Sequence, residues 1–131
     1  MAKEINLLKA SRPGEYVAFF TVEVPTMEGP AFIYMGCDAF SEFAFNTGVE
    51  KDDSAENIIK HVYLLTEDKS FVQHRDKGFT LVFDRFEELS DRIEGIIKSV
   101  NGRLIFNKEF HSQIAKPVRE SLEKFTKSKR K

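Results

Sequence analysis

A chain of 131 residues, 41% hydrophobic and 31% charged, has the size of one domain and enough apolar material for a core under a solvated surface. Its 20 Lys and Arg nearly balance its 21 Asp and Glu, which excludes strong overall attraction to nucleic acid. The single cysteine, Cys37, excludes an internal disulfide and a multi-cysteine metal site, and no stretch approaches the length of a membrane span.

The opening M-A-K-E-I-N-L-L-K-A has too short an apolar run for a signal peptide, so we expect a cytoplasmic protein. Residues 1–14 read as a lead-in that ends in the turn signal Arg12-Pro13-Gly14. Residues 15–126 read as the folded core, and 127–131 as a basic tail. Thirteen Phe and no Trp point to rings that fill a core, because Phe has no polar handle.

The first strand is expected over about Tyr16 to Val24. Ala18, Phe20, Val22 and Val24 share its apolar face, the one expected to meet the core, while Phe19, Thr21 and Glu23 share the other. A Met-Glu-Gly-Pro turn follows. The second strand, about Ala31 to Cys37, is apolar on both faces and so should be covered on both sides. A third run spans Phe43 to Val49. Asp53-Ser54-Ala55-Glu56 has the pattern of a capping box with Asp53 as the cap. It opens a helix to about Thr66 whose stripe is Ile58, Ile59, Val62 and Leu65.

Residues 67–78 are polar and read mostly as loop. Phe79 to Phe83 reads as a buried parallel strand that ends at Asp84. A helix over Phe86 to Val100, with Leu89, Ile93, Ile96, Ile97 and Val100 as its stripe, should end in a left-handed cap at Asn101-Gly102. Arg103 to Phe106 is a fifth, edge-like strand. The last helical region runs from about Phe110 to Thr126, with Val118, Leu122 and Phe125 as its later stripe. Pro117 should either break it or begin a fresh helix.

The order is therefore βββ-α-β-α-β-α. Right-handed crossovers in the second half place the fourth strand beside the first and the fifth outside it. The fold class is α/β (α+β): a five-stranded mixed sheet of order 3-2-1-4-5 with helices on both faces.

This order is similar to the ribonuclease H-like fold. Val24-Pro25-Thr26 and Asp38-Ala39-Phe40-Ser41 resemble the Pro-Thr turn and the Asp-x-Phe-Ser motif of retroviral integrase and bacterial transposase catalytic cores. The resemblance implies DNA integration chemistry: two Asp and one Glu holding Mg²⁺ or Mn²⁺, which activate a water or a 3′-hydroxyl. It implies Asp84 at the end of the fourth strand as the second acid, and Glu120, 36 positions later, as the third. The first acid's place falls on Phe20, which cannot ligand a metal. The residues also allow a simpler reading, with Asp84 as a helix cap and Glu120 as a first-turn acid favoured by the dipole. Asp38 reads as a structural residue bonding turn amides near Ser41. His61, His74 and His111 lie far apart, and no pair has metal-ligand spacing.

Two functions follow. One is a metal-dependent DNA strand transferase or nuclease on an integrase core, lacking one of three acidic ligands. The preferred one is a degenerate, non-catalytic module on the same fold for contact with nucleic acid or protein, which would need no cofactor. DNA and a second copy of the chain are the partners that the resemblance implies. Lys124, Lys127, Lys129, Arg130 and Lys131 are the candidate nucleic-acid contacts, or else a solvated helix end that suits the dipole.

Overall fold

The computed structural model describes residues 10–130, with the side chains of all but 74, 75 and 122–130. Strand β1 spans Tyr16–Thr26 and β2 spans Gly29–Asp38. They pair antiparallel, from Val17 opposite Asp38 to Thr26 opposite Gly29. The turn is thus tighter than the Met-Glu-Gly-Pro pattern suggests: Gly29 and Pro30 belong to β2, and Pro30 faces Pro25. Strand β3, Ala44–Glu50, pairs antiparallel on the far side of β2. Strand β4, Phe79–Phe83, lies parallel to β1, and β5, Gly102–Phe106, lies parallel to β4. The sheet order is β3-β2-β1-β4-β5, as the alternation of elements requires.

Both faces of the sheet are covered. On one, Val17, Phe19 and Tyr34 pack with Ile58, Val62 and Leu65 of helix α1 (Ala55–Thr66), with Phe71 of helix α2 (Lys69–Arg75), and with Ile93 and Ile97 of helix α3 (Ser90–Ile97). On the other, Ala18, Phe20, Met35 and Cys37 meet Phe110, Ile114 and Ala115 of helix α4 (Lys108–Arg130). So β1 has two core faces, where the sequence pattern points to one. Val17 and Phe19 are as deeply buried as Ala18 and Phe20.

Four local expectations need correction. Ser54, not Asp53, caps α1: its side chain accepts from the Asn57 amide, which frees Asp53 to accept from the Tyr34 hydroxyl. Residues 69–75 form α2 rather than loop, because Phe71 is fully buried against Phe45 and Phe79. The helix expected over 86–100 is short. Phe86 takes a left-handed conformation (φ 71°), and one-turn 3₁₀ segments, Glu87–Leu89 and Lys98–Val100, flank α3. Helix α4 starts earlier than Phe110, and Asn107 caps it by accepting from the Phe110 amide at 2.9 Å. It neither breaks nor restarts at Pro117. The missing amide costs one helical hydrogen bond, and burial of the helix face against the sheet outweighs it.

No helix among the described residues is long and apolar enough to cross a membrane.

Candidate functional site

The end of β4 and the start of α4 converge on Phe20. Ala18 pairs with Val82, so Phe20 and Asp84, each two residues further along, point to the same face of the sheet. Phe20 is 3% exposed. The ring of His111 meets its edge at 6.0 Å between centroids, and the Arg119 guanidinium lies over its face at 5.4 Å. Asp84 Oδ2 stands 3.7 Å from His111 Nδ1, and the Asp84 side chain is 29% exposed.

The tautomer of His111 follows from its partner. Nε2 lies 2.7 Å from the Phe19 carbonyl, which can only accept, so Nε2 carries the proton and donates. Nδ1 is left buried with its lone pair and no hydrogen-bond partner among the described groups. Burial, first of all, holds the imidazole below its ordinary pKa; Arg119 and Arg85 add to this, while the Phe19 carbonyl and Asp84 oppose it. The unfolded chain therefore binds this proton more readily than the folded one. The stability that neutral His111 contributes is complete above the ordinary histidine value of about 6.5 and is lost as pH falls from there through the lower folded value. Thermal unfolding between pH 7 and pH 5 should thus fall more steeply for the native chain than for His111→Gln. Parallel profiles would show that His111 does not titrate in this way.

Asp38 is 1% exposed and accepts three hydrogen bonds, from the Gly14 amide at 2.9 Å, the Ser41 amide at 3.1 Å and the Ser41 hydroxyl at 2.6 Å. It faces turn donors, not the Asp84 corner. His61 is buried in a separate cluster, where Thr47 Oγ1 lies at 2.8 Å and Glu50 Oε2 at 2.7 Å, and its ring stacks on Tyr34 at 4.2 Å. Gly48 is required there: a Cβ would meet His61 Cε1 at 2.9 Å. The cluster ties α1 to β3. The basic set Lys124, Lys127, Lys129, Arg130 and Lys131, and the side chain of His74, lie outside the described side chains.

The structure brings Asp84 to Phe20 but does not place Glu120 with them. Helix α4 follows β5 after the single residue Asn107, so Glu120 falls in its fourth turn and not at its start. It stands nine residues after His111, about two and a half turns at about 3.6 residues per turn, and so on the opposite side of the helix. It is exposed there with Gln113 and Lys116. The residue at the helix start that faces Asp84 is His111. Its place in the stripe Phe110, His111, Ile114, Ala115, Val118 is the sequence signal that could have found it.

No family model matches the sequence, and no curated protein matches it. Solved structures do. The HTLV-2 integrase catalytic core domain in complex with magnesium, in its dimeric form, is 10% identical with a TM-score of 0.63, over 89% of this chain and 75% of that one. Its trimeric form is 9% identical with a TM-score of 0.63, over 89% and 74%. The intasome of simian T-cell lymphotropic virus, in complex with the PP2A regulatory subunit B56 gamma, is 13% identical with a TM-score of 0.58, over 76% of this chain. This chain spans 36% of that one. The fold is that of a retroviral integrase catalytic core.

An integrase-core fold raises the question of whether this corner suits magnesium. Mg²⁺ takes hard oxygen ligands in near-octahedral geometry. Here the convergent groups are one carboxylate, one imidazole nitrogen and a phenyl ring, with the Arg119 cation stacked on that ring. Among the described residues no group of three or more His, Cys, Asp or Glu could hold a metal ion. The donor set does not fit the ion.

Proposed function

We propose that this chain is a catalytically silent module of the integrase-core fold, serving as a scaffold for contacts in an assembly that handles DNA. The observation that carries this reading is the Asp84 corner, where Phe20 and His111 stand at the two positions beside Asp84 and neither brings a carboxylate. A buried Phe at the first position removes repulsion between like charges and adds apolar burial, which favours a scaffold over a metal site. The DNA context comes from the likeness to an intasome chain. The likeness to a core described in dimeric and trimeric forms supports a second copy as a partner. Sedimentation would test that part, and a monomer at high concentration would oppose it.

The test of silence is strand transfer and nicking of labelled DNA with Mg²⁺ and with Mn²⁺. The native chain should give no product beyond that of Asp84→Ala. Activity in the native chain that disappears in Asp84→Ala would overturn the reading. Amide NMR during a Mn²⁺ titration gives an independent answer, with no selective broadening expected around Phe20, Asp84 and His111.

Stability offers a further check. The nearest ionic partner of Asp84 is an imidazole nitrogen that carries a lone pair, so Asp84→Asn replaces two facing acceptors with a donor and an acceptor. Chemical denaturation should place Asp84→Asn at the native stability or up to about 1 kcal/mol above it. A loss of more than about 1 kcal/mol would mean that the carboxylate is held by the fold, against a vacated site.

A further inference from the structure

The opposite end of β4 carries a second feature, independent of the reading of the Asp84 corner. Phe79 opens the strand and Asp84 follows its end, so the two sites are separated by the strand's length, roughly 17 Å at about 3.3 Å per residue. A cleft of about 670 Å³ lies at the Phe79 end. Arg12, Lys77, Lys98 and Arg103 line it, with Glu15 and Asp76 as its two acids. The four cations come from four separate segments: the lead-in, the loop before β4, the 3₁₀ turn after α3, and β5.

Three observations give this convergence meaning. First, the chain as a whole is close to neutral, so four cations against two carboxylates is a local excess. Second, the ion pairs among the described residues involve Lys60, His61, Arg85, Arg92 and His111, and none involves these four. The Glu15 carboxylate is already engaged, accepting from the Ser11 amide at 2.6 Å and the Ser11 hydroxyl at 2.9 Å. Third, the guanidinium of Arg12 is clamped. Its Nη2 donates to the carbonyls of Lys77 and Gly78 at 3.0 Å and 2.6 Å, while its Nη1 is buried with no hydrogen-bond partner among the described groups. The loop that holds it is itself fixed, because the Asn101 amide donates to the Asp76 carbonyl. A clamped guanidinium in the cleft wall, with three further cations lining the same cleft, matches an anion that has several acceptor oxygens.

We propose that this cleft binds a phosphate-bearing anion, with Arg12 as the fixed anchor and Lys77, Lys98 and Arg103 as the surrounding charge. The phosphate is either a free one or a link in a nucleic-acid backbone, which share the chemistry that the cleft reads.

The test is amide NMR of the full chain titrated separately with inorganic phosphate, pyrophosphate and a short double-stranded oligonucleotide. Saturable shifts should appear at residues 77–80 and 101–103 and weaken with salt. Lys98 and Arg103 are exposed, so Lys98→Glu with Arg103→Glu should keep the fold and lower affinity on the order of tenfold or more. Pyrophosphate binding at least as tight as the oligonucleotide would support the proposal with a free phosphate as the ligand. Tighter oligonucleotide binding, with a salt slope of about −0.9 per phosphate contacted, would support it with a backbone phosphate. No saturable shift at these residues with any probe, or equal binding by the charge-reversed variant, would overturn it. Neither result bears on the silence of the Asp84 corner, which the DNA assays test separately.

Discussion

Phe20→Asp destabilises the fold by about 3–5 kcal/mol or more and brings no response to Mn²⁺, whereas adding His111→Glu makes stability depend on the metal. The first half follows from burial. Phe20 is 3% exposed in the cluster formed with Met35, Phe110 and Ile114, and truncating a buried Phe alone costs about 3–5 kcal/mol. A carboxylate in that place adds a desolvation penalty. The new charge also has a ready partner in Arg119, whose guanidinium already lies 5.4 Å from the Phe20 ring centroid. With that cation beside it, a pair of carboxylates at 20 and 84 alone offers too few hard oxygens to hold an ion. The second half follows from His111 facing Asp84 at 3.7 Å. Carboxylates at positions 20, 84 and 111 repel one another without metal and offer a hard oxygen set with it. Binding at 100 times the dissociation constant would then return about 2.7 kcal/mol. Urea unfolding with and without Mn²⁺ measures both effects. A double variant no more responsive to metal than Phe20→Asp alone would remove His111 from the third corner.

The same corner marks the boundary of what the sequence makes legible. Sheet order could be read because strands and helices alternate after β3, and chirality then leaves few topologies. Counting back from the Pro-Thr turn to Phe20 runs along a regular β1–β2 hairpin whose register is unbroken. Counting forward from Asp84 fails because two segments in that interval depart from regularity. A left-handed Phe86 shortens α3, and a one-residue connection starts α4 early. A count that lands on Glu120 therefore lands on the solvent side of the helix. Helix α2 was hidden for a different reason: its residues are mostly polar, and one ring, Phe71, is fully buried between Phe45 and Phe79. Nothing local announces that contact. The Arg12 cleft is still less legible, since its four cations are distant in sequence and meet only once β4 and β5 are parallel.

Asp38→Ala should cost about 2–4 kcal/mol, although Asp38 stands apart from the Asp84 corner. Its buried carboxylate accepts three hydrogen bonds, and hydrogen bonds to charged groups contribute about 1.5–3 kcal/mol each with poor additivity. Removing it leaves the Gly14 and Ser41 amides without an acceptor at the end of β2. Asp38→Asn should cost less, because one oxygen remains while the new NH₂ group faces a donor. Ser41→Ala loses the hydroxyl's bond to Asp38 and the one it accepts from the Phe43 amide at 3.2 Å, keeps the buried carboxylate, and should cost least of the three. Equilibrium denaturation gives the order, and Asp38→Ala within about 0.5 kcal/mol of the native chain would show that the turn is held by other means. The bond to Gly14 carries the consequence further. Gly14 lies two residues after Arg12, so the carboxylate that closes the Asp-x-Phe-Ser turn also positions the segment that clamps Arg12 onto the carbonyls of Lys77 and Gly78. Asp38→Ala should therefore weaken phosphate binding in the cleft while Ser41→Ala leaves it intact. Equal affinity in both variants would separate the turn from the cleft.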